Sequence, residues 1–445
     1  DGFFAISIDH NEINTLNTIC DEIFGRKNRI GLISVVHKPE GRNQAKFFGP
    51  SNEFMLVYAK DSEKCSLRKV VLDNDLKKKF NRSDFKGLYK RKNFIRLSDG
   101  HYSLRKNKPK FWYPIYKHEN NNLSLSKKSE NDIAIYPITS AGQERTWKTT
   151  KETFIERYNN GDIEVVKEDG NGNWIIYEKL RQAQVIKTHW IDKRYHGFHF
   201  GTKIVDNLLG FKSFDFPKSI HLMDDIIKLF TEGDDIVIDF FSGSGTTGHA
   251  ILNVNSEDNY NRKFILVQIP ATINDNKKAL SLGYNNICDL GKERIRRAAK
   301  KIKEETAADI DYGFRVYQLD ESNMQDVYYT PQDYTQESID LFADNVKPDR
   351  SADDLLAQVM LDWGLPLSLK IEQVNISGKQ VFKVAENSLY ACFDSGIDEH
   401  FAKAIAKDEP LRIVFKDSGF KNDTAKINVN QLLKQLSPET EMKVI

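Results

Sequence analysis

Apolar positions recur along this chain at two periods, and the switches between them divide it into segments. Residues 3–9 (FFAISID) form an apolar run of strand length. Over 11–24, Ile13, Leu16, Ile19, Cys20 and Ile23 fall on one helical stripe, with Gly25 as a stop. Strands are expected over 30–36 and 53–59, separated by the polar, Gly- and Pro-containing stretch 38–52. Further on, 221–230 reads as a helix, 235–240 as a buried parallel strand, 246–254 as a helix, 263–269 as a strand and 290–306 as a helix. Between these α/β pieces, about 61–195 carries short strands at 133–138 and 174–177, a short helix at 151–158 and many polar turns, a pattern that predicts a modest, mixed core. From about 313 the style changes again. An amphipathic helix over 352–363 presents Leu355, Leu356, Val359 and Met360, and β-rich segments follow at 371–385 and 388–394.

Composition adds a class to this outline. The 445 residues are 40% apolar and 29% charged with a net charge of +1, a globular balance with room for two or three cores. The charge is uneven: 64–110 holds 16 Lys/Arg against four Asp. Phe80, Phe85, Tyr89, Phe94, Tyr102, Phe111, Trp112 and Tyr113 interleave with these cations, as in a nucleic-acid face, a solvated surface being the plain alternative. A second basic run, Arg294, Arg296, Arg297, Lys300, Lys301 and Lys303, reads as the surface of the helix 290–306. Cys20, Cys65, Cys288 and Cys392 are too scattered for a metal site and fit packing roles in a reducing, cytoplasmic compartment. No apolar run reaches membrane-spanning length. The opening Asp1-Gly2-Phe3-Phe4 is neither a signal peptide nor an initiator start, so the chain is expected to begin elsewhere.

Candidate chemistry concentrates at 236–250, IVIDFFSGSGTTGHA. An apolar strand candidate runs through small residues into a helix, and Gly243 and Gly245 allow backbone to approach a ligand closely, with first-turn amides facing it. An ordinary strand-to-helix turn is the alternative. His249, beside this loop, is expected to pack and not to catalyse, and His221 has the same standing.

In GTKIVDNLLG, FDFPKSIHL, DDIVIDFFSGSGTTGHAILNVN and EDNYNRKFILVQIP, and in the amino-terminal GFFAISIDHNE, CDEIFGRKN and NEFMLVYAK, the chain resembles the modification subunits of type III restriction-modification systems, beta-class DNA adenine-N6 methyltransferases. The likeness is strongest over 1–60 and 196–310. It implies a Rossmann-like S-adenosylmethionine-dependent methyltransferase fold of α/β class, interrupted by an inserted target-recognition domain at 61–195 and followed by an α+β carboxy-terminal subunit-interaction domain at 311–445. It implies S-adenosylmethionine as cofactor, with Asp239, Phe240, Ser242, Gly243, Gly245 and Thr246 as its loop, and Thr247 beside them opening the helix. Asp215, Phe216, Pro217, Lys218 and Ser219 match the segment beside the methionine end. Gln268 stands where related enzymes carry an acidic residue for the ribose, and reads either as an adenosine-side contact or as a structural hydrogen bond.

The implied substrate is double-stranded DNA with a flipped target base. Lys77, Lys78, Lys79, Lys90, Arg91 and Lys92 are candidates for phosphate contact. The implied partners are a second modification subunit in a homodimer and an ATP-dependent restriction subunit, since this chain has no GxxxxGK[ST] motif of its own. The family's Asp-Pro-Pro-Tyr catalytic motif is absent: none of the 12 prolines is followed by another. Its expected place is upstream of Asp1, on a strand between those at 235–240 and 3–9, so no catalytic residue is assigned and this chain alone is expected to be inactive. A non-catalytic DNA-binding or scaffold subunit and a cytosine-N4 methyltransferase are the alternative readings.

Overall fold

The amino-terminal strands form where β-branched and aromatic residues alternate, but they pair differently from an open parallel sheet. In the computed structural model, which describes residues 2–41, 46–68, 70, 78–98, 100–168, 172–181, 186–325 and 345–445, β1 (Phe3–Ile8), β2 (Arg29–Val36) and β3 (Asn52–Ala59) pair antiparallel in the order β1-β3-β2. Its central β3 is buried from Met55 to Ala59. Alternation sends Leu56 and Tyr58 towards α1 (Ile13–Cys20), and Met55 and Val57 towards Trp190, Tyr195, Leu222 and Leu229. The expected helical stripe is only partly right. Ile13, Leu16 and Cys20 pack, whereas Ile19, one residue out of phase with Cys20 in α1, and Ile23, within a wider π-turn over Asp21–Gly25, are exposed.

The segment after β3 has a core of its own. β4 (Arg82–Asp84), β5 (Gly87–Asn93), β9 (Ile163–Lys167) and β10 (Trp174–Arg181) form an antiparallel sheet of order β4-β5-β10-β9. β6 (Ile115–Lys117), β7 (Leu123–Ser124) and β8 (Ile133–Ile135) form a smaller one. With α2 (Lys151–Asn159) they enclose Phe94, Tyr113, Ile115, Trp147, Phe154, Ile163 and Ile176. This core is larger and more aromatic than the sequence predicts, since its largest members, Trp147 and Tyr113, lie outside every regular strand and leave no period. β11 (His189–Trp190) then returns, parallel to β2.

α3 (Lys203–Leu209) and α4 (Ile220–Phe230) lead to β12 (Ile236–Asp239), α5 (Thr246–Asp258), β13 (Lys263–Leu266), α6 (Lys277–Ser281) and α7 (Ile287–Thr306). β12 and β13 are parallel, as the βαβ pattern requires. Val237, Phe264 and Leu266 face α4, α5 and α7. The expected burial of the whole β12 run does not hold: Ile236 and Ile238 are each 58% exposed on the opposite face, where no helix among the described residues covers them. Among the described residues β12 has β13 as its one strand neighbour and β1 has β3, so no single seven-stranded sheet forms. The Phe4 and Phe240 rings stack 6.1 Å apart.

The chain divides into two compact units, Asp1–Phe314 and Arg315–Ile445. In the second, β14 (Ile371–Ile376), β15 (Lys379–Val384), β16 (Leu389–Cys392), β17 (Arg412–Phe415) and β18 (Glu441–Val444) lie in sequence order in one mixed sheet. α8 (Ala352–Asp362) covers one face through Phe382, Ala391 and Val414. α9 (Glu399–Ile405) and α10 (Asp423–Leu436) cover the other through Val381, Tyr390 and Ile413, the period of two made visible. No helix among the described residues is long and apolar enough to cross a membrane.

Candidate functional site

At the carboxyl end of β12 the backbone turns sharply into α5. Gly243 and Gly245 take φ of +51° and +73°, values that an L side chain adopts only with strain. A Cβ on Gly245 would lie 3.2 Å from the Gly291 carbonyl oxygen, so loop and α7 meet backbone to backbone. The first-turn amides of α5 have no helical acceptors, which makes the turn a cradle for the polar end of a ligand. Asp239 braces it from within: Oδ1 accepts from the Phe241 amide at 3.1 Å and Oδ2 from the Thr247 hydroxyl at 2.5 Å. Gln268 does likewise. Its Oε1 accepts from the Gly243 amide at 2.7 Å and its Nε2 donates to the Ile269 carbonyl at 3.1 Å, the structural alternative raised for it. Phe240 is half exposed, Ser242 partly buried and Thr246 buried.

The companion segment lies at the mouth of α4. Asp215 and Phe216 are exposed, and Phe216 holds φ of +56°, a strained value for a bulky residue of the kind found at functional sites. Gly201 fixes the path of Pro217, because a Cβ there would overlap the Pro217 carbonyl oxygen. Lys218 is ion-paired with Glu53 of β3, and the Ser219 hydroxyl donates to the Arg194 carbonyl at 2.7 Å. Phe214 reaches towards Gly243, within 3.6 Å of where a Cβ would stand, which joins this segment to the Gly-rich loop.

Beneath the segment lies a buried set that the sequence did not announce. Asp225 accepts from the Tyr195 hydroxyl at 2.6 Å and pairs with Arg194. Burial pushes its carboxyl up to about 6, against the pull of Arg194 and Tyr195. Asp224 is also pushed up by burial, and His221 lies 3.6 Å from it. His249 packs as expected: it is buried, and desolvation together with Arg294 lowers its imidazole to about 3, which leaves it neutral.

Arg294 overturns its expected place. It is fully buried beneath the Gly-rich loop, not part of a surface run. The signal was available in its phase: it follows Leu290 and precedes Ala298 by four residues each, on the apolar stripe of α7.

In the segment after β3 the candidate cations diverge. Lys77 lies outside the described residues, and Lys78 and Lys79 are exposed. Lys90 stands over the Phe80 ring at 5.0 Å and Lys92 is exposed. Arg91 is committed within the sheet, its Nε 2.5 Å from Glu164 and its guanidinium over Tyr177.

Comparison with known proteins gives this geometry a context. A DNA methylase family model matches residues 1–284. The type III restriction-modification enzyme EcoPI Mod subunit of Escherichia phage P1 is 29% identical over all of this chain and 70% of its own length. The type II methyltransferase M.KpnI of Klebsiella pneumoniae is 30% identical over 66% of this chain and 68% of the relative. The type III restriction-modification enzyme EcoP15I Mod subunit of Escherichia coli is 27% identical over all of this chain and 69% of the relative.

Proposed function

The chain belongs to the DNA methylase family, and from that premise we propose that it is the modification subunit of a type III restriction-modification system, an S-adenosylmethionine-dependent DNA methyltransferase acting on adenine N6 at a short specific site. One observation carries this reading: two type III Mod subunits align with the chain along its whole length, insert and carboxy-terminal unit included. S-adenosylmethionine supplies the activated methyl group. Around it, Gly243 and Gly245 hold the positive φ that L side chains adopt only with strain, and the open amides at Thr246 and Thr247 face its polar end. Asp239 and Gln268 act one step back, holding the loop in that shape through Thr247 and Gly243. Phe240, Ser242, Asp215, Phe216 and Pro217 form the rim, and Lys218 and Ser219 tie the rim to β3 and Arg194.

Buried cofactor and stacked base meet only if the base leaves the duplex, so a flipped adenine belongs to the proposal. The insert at 61–195 supplies the DNA contacts. Lys78, Lys79, Lys90 and Lys92 face phosphates, Lys77 adjoining them in sequence, and Arg91 serves the fold through Glu164. The methyltransferase pieces are 1–60 and 196–310, and the unit from about 311 makes contacts to a second modification subunit and to an ATP-dependent restriction subunit.

Methyl transfer by the complete gene product to unmodified DNA, read as modified nucleosides by mass spectrometry, tests this. N6-methyladenine is the expected product. N4-methylcytosine would move the assignment to the cytosine-N4 alternative, and cofactor and DNA binding with neither product would leave a DNA-binding scaffold.

A further inference from the structure

Arg294 is a charge that stability alone does not explain. Its side chain is buried to the last atom, and no carboxylate among the described residues lies within ion-pair distance of it. Desolvation draws the guanidinium down to about 9, with Asp224 opposing from further off. Its Nη2 has no hydrogen-bond partner among the described residues. A buried unpaired charge and a buried donor without an acceptor both oppose folding.

What the arginine does hold is the loop. Nη1 donates to the Ser244 hydroxyl at 2.7 Å, to the Thr246 hydroxyl at 2.7 Å and, more weakly, to the Ser244 carbonyl at 3.4 Å. Nε points to Nδ1 of the neutral His249 at 3.5 Å, so the imidazole can face the guanidinium as an acceptor without a second charge. The same helix meets the loop one turn earlier through Gly291, where a Cβ would stand 3.5 Å from the Gly243 carbonyl oxygen. It meets it again at Ile295, whose Cδ1 is 3.3 Å from where a Cβ on Gly245 would lie. Gly291, Arg294 and Ile295 occupy one face of α7 at i, i+3 and i+4, and that face is the floor of the turn.

We propose that Arg294 is a positioning residue for cofactor binding: through Ser244 and Thr246 it holds the left-handed turn at Gly243 and Gly245 in its binding shape, at a cost to the stability of the fold. The inference rests on the reading of this loop as the S-adenosylmethionine site, and it separates two quantities that a packing role would move together. Arg294→Met removes the loop's anchor and also the buried charge.

Three measurements on the chain with Arg294→Met and Arg294→Lys decide it. These are thermal midpoint, hydrogen exchange at the Gly243 and Gly245 amides, and calorimetric titration with S-adenosylmethionine. For Arg294→Met the midpoint is expected to equal or exceed that of the parent. Exchange at the two amides quickens by about 10-fold or more, and the cofactor dissociation constant rises by about 10-fold or more. Arg294→Lys, which keeps the charge and one donor, falls between. Unchanged loop exchange in Arg294→Met overturns the proposal, as does a fall in midpoint with affinity intact. Thr246→Ala keeps the arginine and removes one acceptor. It is expected to quicken exchange at Gly245 and decides the question if Arg294→Met does not fold, native exchange counting against the anchor. Should the parent chain bind no S-adenosylmethionine, the cofactor reading fails by that result, while loop exchange still reports on the anchor.

Discussion

Arg91 and Arg294 stand in similar basic runs, yet the fold uses them in opposite ways. Arg91 lies on β5 beside the half-buried Lys90 and the exposed Lys92, with Glu164 at 2.5 Å and solvent within reach. Its neighbours Lys179 and Arg181 follow the same rule and close on Asp84. The Arg181 guanidinium, then Lys179, hold the Asp84 carboxyl well below the usual carboxylate range. Arg294 lies inside, without a contacting anion among the described residues, and grips hydroxyls of a glycine turn. Where charges are paired near the surface they contribute little to stability, and each partner already answers the charge a polyanion would meet. Where a charge is buried and serves a loop, it opposes the fold and shapes a site.

The contrast can be broken most forcefully from the insert's side. If that region is held by its aromatic core and not by its charge ladders, Trp147→Ala should destabilise it by about 3–5 kcal/mol in urea unfolding. The ring is 1% exposed and its indole N–H donates to the Tyr113 carbonyl at 2.8 Å. A loss below about 1 kcal/mol would return the credit to the ion pairs.

Asp225 sharpens the other side, because its carboxyl is raised from 3.8 to about 6. Between those values the folded chain keeps a proton that the unfolded chain releases. The contribution is therefore full below about pH 4 and is lost as pH rises through 6, by about 3 kcal/mol in all. Asp225→Asn should remove that slope. Stability curves of the two proteins that run parallel from pH 4 to 7 would mean that the pair with Arg194 keeps Asp225 ionised throughout.

Smaller effects belong to the half-buried Lys90 and the exposed Lys92. Lys90→Ala and Lys92→Ala should each lower the slope of log affinity for DNA against log salt by about 1, measured by fluorescence anisotropy, without a change in thermal midpoint. Unaltered slopes would remove them from the DNA face. Arg91→Ala should cost at most about 1 kcal/mol of stability and leave that slope nearly as it was, since Glu164 already answers its charge.

Much of the outline was legible in the sequence because it rests on local period. The strands now seen at Phe3–Ile8, Arg29–Val36 and Asn52–Ala59, the βαβ unit around the Gly-rich turn and the helix Ala352–Asp362 all announce themselves by alternation or by a helical stripe. Gly243 and Gly245 were legible too, since a left-handed turn selects glycine whatever surrounds it. The ends of the second unit were not. Arg412–Phe415 and Glu441–Val444 were missed, being short segments fixed by a sheet assembled from distant strands, and the helix Asp423–Leu436 was missed although it carries an apolar stripe of its own.

By itself the sequence determined the family, the glycine turn and the basic character of the insert, because motif, backbone permission and charge are properties of residues in order. Tertiary structure alone decided which charges are spoken for. Asp239 and Gln268 turned inward to brace the loop, Arg91 met a carboxylate, and Arg294 met two hydroxyls. A side chain's partners, and the desolvation that sets the strength of each contact, come from segments far away in the chain, and no local pattern encodes them.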